Sequence, residues 1–149
     1  MKLKVESDLH IDFGEYSPNL KDVDVYILAG DTGEVKNSIP YIGELMRRFP
    51  NVEIIYICGN HEFYSHGAKK TYMEKVHRQL FELDLQYPKF HFLNDSSIVL
   101  NNIRFIGSTL WTSFRDKNPI DKYDARQNMN DYKYIRYNHG VSGFTPERS

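Results

Sequence analysis

Apolar and polar positions alternate at the start of the chain, in Leu3-Lys4-Val5-Glu6. Alternation of this kind marks a strand with one face buried. It predicts a first strand over residues 2–7, followed by a loop over 11–22 that carries Gly14, Pro18 and Asn19. Two later stretches differ in kind. Asp24–Asp31 (DVYILAGD) and Val52–Asn60 (VEIIYICGN) are short continuous apolar runs, each closed by glycine and a polar residue. Such runs belong to strands buried on both faces, the usual strands of a parallel sheet. Between them Tyr41, Ile42, Leu45, Met46 and Phe49 recur at helical spacing, with Ser38 as the expected N-cap, Pro40 in the first turn and Pro50 as the stop. A second helix is expected from Ala68 to Leu85, with Tyr72, Val76, Leu80 and Leu83 on one face, and another strand from Phe90 to Asp95.

The resulting order, β-β-α-β-α-β, implies a layered α/β fold with parallel strands joined by helices. Ser96–Trp111 then holds two apolar runs around Asn101-Asn102, the chemistry of a tight hairpin and the start of an antiparallel region. From Thr112 to Asn138 polar and aromatic residues mix without a readable period. No repeat, low-complexity tract or linker divides the 149 residues, so one domain over 1–149 is expected.

Composition narrows the function classes. Net charge is −1, which gives no broad electrostatic footprint for nucleic acid or anionic membrane. No apolar stretch is long enough to span a bilayer or resembles a signal peptide. Cys58 is the single cysteine, so no internal disulfide forms, and a reducing, cytoplasmic setting is the expectation.

The polar residues just after the strands hold the chemistry. Three strand ends read Asp8-Leu9-His10, Gly30-Asp31 and Gly59-Asn60-His61-Glu62. Ligands of open α/β sheets bind outside the carboxyl ends of the strands, so these groups are expected to converge. Strand alternation would aim Asp8 and His10 to the same side. Two carboxylates brought close repel unless a cation joins them, and oxygen plus imidazole donors suit manganese, iron or zinc. Gly30 and Gly59 would let the backbone turn sharply there.

D-x-H, G-D and G-N-H-E, in this order and each after an apolar strand, resemble the calcineurin-like metallophosphoesterases. Gly107–Phe114 (GSTLWTSF) and Met129–Arg136 (MNDYKYIR) also resemble the single-domain bacterial and phage-type members. The resemblance implies a four-layer α/β/β/α sandwich and a metal-dependent hydrolase of phosphomonoesters or phosphodiesters. It implies two divalent metal ions, Asp8 and His10 holding the first, Asp31 bridging both and Asn60 holding the second. His61 would contact the phosphate and assist the leaving group, and Glu62 would orient that histidine from behind. A metal-activated hydroxide would attack phosphorus in line. A phosphate ester is the implied partner, with nucleic acid entering only as substrate and no membrane.

The pattern also departs from the family. Its G-H-x-H motif is missing, and the six histidines are His10, His61, His66, His77, His91 and His139. The chain is therefore expected to be the N-terminal part of the family domain, with a weak second metal site and self-association through exposed sheet edges. The alternatives are a remnant of low or no activity, and a nucleic-acid-binding module using the Tyr/Lys/Arg-rich segment 122–137. Among the other residues, His66 reads as a loop residue, His77 as a surface residue and His91 as facing solvent. His139 is a minor candidate ligand. Cys58 reads as a buried small apolar residue, and Trp111 and Phe114 as either cleft wall or core.

Overall fold

A computed structural model describes residues 1–64, 71–138 and 143–147. Four strands, β1 (Leu3–Glu6), β2 (Val25–Ala29), β3 (Glu53–Ile57) and β4 (Phe90–Phe92), form one parallel sheet in the order β1-β2-β3-β4. The helices α1 (Val35–Arg48) and α2 (Met73–Gln86) connect β2 to β3 and β3 to β4. The register aligns Val5 with Ile27, Ile27 with Ile55, and Ile55 with His91.

The period-two pattern of each inner strand sorts its side chains between two cores. Tyr26, Leu28, Ile54, Tyr56, Phe90 and Phe92 face the helices, where they meet Ile42 and Leu45 of α1 and Val76 and Leu80 of α2. Val25, Ile55 and Leu93 face the other way. Ile98, Leu100 and Phe105 of an antiparallel hairpin, β5 (Ser96–Leu100) and β6 (Ile103–Gly107), pack there. The α/β architecture is thus a helix layer, a parallel sheet, and a hairpin on the sheet's second face. Apolar side chains remain exposed on that side, including Val5 at 60% and Ile106 at 76%. At the hairpin tip Asn101 and Asn102 take positive φ of 49° and 63°, the backbone a tight two-residue turn requires.

Three boundaries shift from the sequence reading for physical reasons. Ser38 does not cap α1. It is buried inside the helix, where its hydroxyl donates to the carbonyls of Gly33 and Glu34. The acceptor at the helix start comes instead from Asp12, whose Oδ2 receives the Glu34 N–H at 2.9 Å. The second helix begins at Met73, because Tyr72 is extended and the Met73 N–H bonds the Arg136 carbonyl. Residues 68–70 of its expected range lie outside the described residues. The segment without a readable period contains a helix, Pro119–Asn128, capped by the Asn118 side chain, and a single turn, Asp131–Tyr134.

Candidate metal centre

The turns after β1, β2 and β3 lie side by side at the carboxyl edge of the sheet. β1 ends at Glu6, but the chain beyond it stays in step with β2. The N–H groups of Asp8, His10 and Ile11 bond the carbonyls of Gly30, Asp31 and Thr32 at 3.0, 3.1 and 2.9 Å. Asp8 and His10 are therefore not paired by strand alternation, the mechanism expected from their spacing. Each sits on left-handed backbone, at φ 56° and 44°, as does Asp31 at 52°. Non-glycine residues in this region cost energy and persist where the surroundings over-determine them, commonly at functional sites.

His10, Asp31 and His61 each offer a ligand atom, and these atoms lie within 4.8 Å of one another. The His10 and His61 rings meet edge to face at 4.3 Å, and Nδ1 of His10 is buried without a hydrogen-bond partner. An orphaned imidazole nitrogen beside a carboxylate and a second imidazole is what a divalent cation would satisfy, so this donor set fits one. Asp8 is outside that cluster. It is exposed and lines a cavity of about 540 Å³ together with Asp31, Asn60, Thr109, Trp111 and Asp131.

Close backbone approach builds the Asp31 position. A Cβ added at Gly59 would lie 2.6 Å from the Asp31 amide nitrogen and nearer still to its carboxylate. Asp31 Oδ1 accepts the His61 N–H at 2.9 Å, so one carboxylate oxygen ties the second turn to the third.

Glu62 locks these turns together, and in a different way from that expected. It makes no hydrogen bond to the His61 ring. The 3-10 turn His61–Phe63 directs Glu62 and Phe63 into the core while Asn60 and His61 stay partly exposed. Glu62 is 0% exposed, and its carboxylate accepts from Gly59 N at 2.7 Å, Asp31 N at 3.2 Å, Thr32 N at 2.8 Å and Tyr56 OH at 2.8 Å. Burial pushes its pKa up, opposed by the hydroxyl of Tyr56 and the amides of Gly59 and Thr32. Four donors surround the group, so the ionised carboxylate is the form this geometry satisfies.

Asp131 was not among the sequence candidates, although it lies in the MNDYKYIR stretch. It is buried, and its Oδ1 accepts from Asn60 Nδ2 at 2.7 Å and from Tyr64 OH at 2.6 Å. Burial and the bonded Asp131 carboxylate together push the Tyr64 phenol upward. The signal for Asp131 was a lone acid in an aromatic segment, which sequence patterns cannot tell from a solvated one.

The remaining candidates separate clearly. His77 is not a surface residue: it packs against Phe63 and Phe92 with a buried, unpartnered Nε2. His91 is half-buried, with Nε2 2.8 Å from Glu53 Oε2. Cys58 is buried beside the site, and its carbonyl accepts from Thr109 Oγ1. Trp111 both lines the cavity and packs on Phe144 at 4.5 Å, whereas Phe114 is core. In the Tyr/Lys/Arg-rich segment Tyr132 stacks on Phe144, Ile135 is buried and Arg126 pairs with Glu147. His66 and His139 lie outside the described residues. Among those described, no helix is long and apolar enough to cross a membrane.

Comparison with known proteins gives a matching result. Residues 1–143 match the model of the calcineurin-like phosphoesterases. An uncharacterized protein, L509 of Acanthamoeba polyphaga mimivirus, is 29% identical over 154 aligned residues, covering 90% of this chain and 51% of that protein. The crystal structure of a phosphopantetheinyl hydrolase from Mycobacterium tuberculosis shares the fold, with a TM-score of 0.66 at 15% identity, over 95% of this chain and 57% of that one. The chain thus spans about half the length of the proteins it resembles.

Proposed function

The chain belongs to the calcineurin-like phosphoesterase family, and from that premise we propose that it hydrolyses a phosphomonoester or phosphodiester at a binuclear metal centre. The convergence of His10, Asp31 and His61 within 4.8 Å at the carboxyl edge of a parallel sheet is the observation that supports this most directly. Asp8, His10 and Asp31 are read as holding the first cation, and Asp31 and Asn60 the second. Divalent cations bound there (manganese, iron or zinc suit these donors) would lower the pKa of a water and offset charge on the phosphoryl oxygens.

The chain's own residues do the rest. Asp31 is the shared ligand, its Oδ1 also anchored by the His61 N–H. Glu62 holds the turns that present Asp31 and Asn60 in fixed relation, so neither needs to reorganise as charge develops. His61 is read as touching the phosphate and giving a proton to the departing oxygen. Its ring is stacked on Tyr64 at 4.4 Å with an interplanar angle of 27°, a support that keeps the imidazole from swinging away. The cavity, at about 540 Å³, suits a small phosphate ester.

The test is turnover of p-nitrophenyl phosphate and bis(p-nitrophenyl) phosphate with added Mn²⁺. Expected is metal-dependent release of nitrophenol that falls at least ~100-fold in both Asp31→Ala and His61→Ala. Turnover that survives Asp31→Ala, or that ignores chelation, would refute the reading.

A second reading rests on the donors assigned to the second cation. Asp31 is shared with the first cation and Asn60 offers only a neutral amide, a weak pair for a divalent ion. A remnant with one retained metal and little turnover is then the rival. Metal analysis after dialysis separates the two, since two ions held per chain favour the binuclear enzyme and one favours the remnant.

A further inference from the structure

Asn60 can serve a cation only through its amide oxygen, because its –NH₂ group has no lone pair to offer. Something must therefore decide which end of the amide faces the site. Asp131 is 6% exposed, and its Oδ1 sits 2.7 Å from Asn60 Nδ2. A carboxylate only accepts, so it selects the N–H end of the amide and turns Oδ1 the other way. A flipped Asn60 would set oxygen against oxygen in a partly buried contact. The same Oδ1 receives the Tyr64 hydroxyl at 2.6 Å, and the Tyr64 ring is the surface on which His61 stacks.

Asp131 is itself well held. It opens the turn Asp131–Tyr134, and the next residue, Ile135, is 1% exposed and bridges to Tyr64. The Ile135 N–H bonds the Asp131 carbonyl, and the Phe144 N–H bonds the Ile135 carbonyl, each at 2.9 Å. A buried carboxylate is costly unless its hydrogen bonds compensate, and here those bonds end on Asn60, read as a metal ligand, and on Tyr64, whose ring supports His61.

We infer that Asp131 is a positioning residue: it fixes the amide of Asn60 with the oxygen available to the second cation, and through Tyr64 it fixes the plane against which His61 rests. This rests on reading Asn60 as a ligand. Groups that orient metal ligands in this way alter metal affinity ~10–100-fold when removed.

The experiment uses Co²⁺ as the probe, titrated into metal-free protein and followed by visible absorption and calorimetry. The variants are Asp131→Ala, Asp131→Asn, Tyr64→Phe and Asn60→Ala, each first checked by thermal melting. Asp131→Ala should weaken the second Co²⁺ equivalent at least ~10-fold while leaving the first within ~3-fold. Asp131→Asn keeps an accepting oxygen and should recover most of the loss. Tyr64→Phe removes the longer bond from Asn60 Nδ2 to the Tyr64 hydroxyl, 3.2 Å, but keeps the 2.7 Å bond to Asp131, so it should weaken the second Co²⁺ equivalent clearly less than Asp131→Ala does. A metal-free readout is the NMR signal of the Asn60 side-chain amide. One of its protons should be protected from exchange in wild type and Tyr64→Phe, and clearly less protected in Asp131→Ala, where only the longer bond to the Tyr64 hydroxyl remains. If Asn60→Ala weakens the second equivalent but Asp131→Ala does not, positioning by Asp131 is overturned. If Asn60→Ala leaves the isotherm unchanged, the ligand assignment fails, and the inference with it.

Discussion

Glu62→Gln exchanges a carboxylate oxygen for an –NH₂ group at a position where every neighbour is a donor. Oε2 receives the N–H groups of Gly59 and Asp31, and Oε1 receives the Thr32 N–H and the Tyr56 hydroxyl. With the –NH₂ at the Oε2 position two backbone donors face a donor; at the Oε1 position the Thr32 N–H does, while the Tyr56 hydroxyl can turn to accept. Hydrogen bonds to a charged group contribute ~1.5–3 kcal/mol each, so losing one or two of them costs ~1.5–6 kcal/mol. That is a large share of the ~5–15 kcal/mol available to a domain. Urea unfolding followed by fluorescence of Trp111, the single tryptophan, measures it directly. With a slope of ~2 kcal/mol per molar urea, the midpoint should fall by ~0.75–3 M with the slope unchanged. Glu74→Gln, an exposed change in the first turn of α2, is the control and should stay within ~0.5 kcal/mol. A midpoint shift for Glu62→Gln of under ~0.3 M would refute the clamp, because even one buried charge-assisted bond is worth more than that.

Other perturbations probe different parts of the same edge. Gly59→Ala places a methyl group against the Asp31 amide and carboxylate, and should cut Mn²⁺-dependent kcat/KM ~100-fold by misplacing Asp31; wild-type kinetics would show that the approach is looser than described. Burial lowers the His77 pKa below 6.5, with a small opposing pull from Asp95, so the unfolded chain protonates first as pH falls. Stability should drop as pH passes down through 6.5, and His77→Leu should flatten that part of a urea-midpoint profile. Equal slopes in the two proteins would exclude His77 as the cause. Glu6 is partly buried, which favours its neutral form, but bonds from Tyr16, Tyr26 and Lys4 outweigh this and lower its pKa from 4.5. Its contribution is present above 4.5 and disappears as pH falls through the lowered value, so Glu6→Gln should be less stable at pH 7 and converge with wild type in acid. A gap that persists at about pH 2 would show that the loss is packing rather than charge.

The strands, the hairpin and the edge of the sheet that bears the site were legible because each is written in local period and punctuation. Gly-Asp and Gly-Asn after apolar runs marked where Asp31 and Asn60 would emerge. What stayed hidden depends on partners far along the chain. Asp12 rather than Ser38 supplies the acceptor at the start of α1, and nothing near Ser38 announces that. His10 comes to Asp31, and Asp8 to the cavity wall, on left-handed backbone, a state that strand spacing cannot encode. Asp131 contacts Asn60 from 71 residues away, and one acid in a Tyr-rich stretch has no local mark of burial. His77 looked solvated because Arg78 is beside it, yet helix geometry turns the histidine inward between two phenylalanines.

The sheet order β1-β2-β3-β4 repeats the order of the chain. A ribosome therefore delivers each strand next to the one already placed, and no later strand has to be inserted between earlier ones. Asp8, His10, Asp31, Asn60, His61 and Glu62 all emerge before residue 64, ahead of α2 and the hairpin. Asp131 emerges only after the hairpin. The nascent chain can thus gather its ligand turns early, as N-terminal units commonly do during synthesis, while the group that sets the Asn60 amide arrives late. On the proposed ligand assignment, His10 and Asp31 would be open to a cation before the Asn60 amide is fixed.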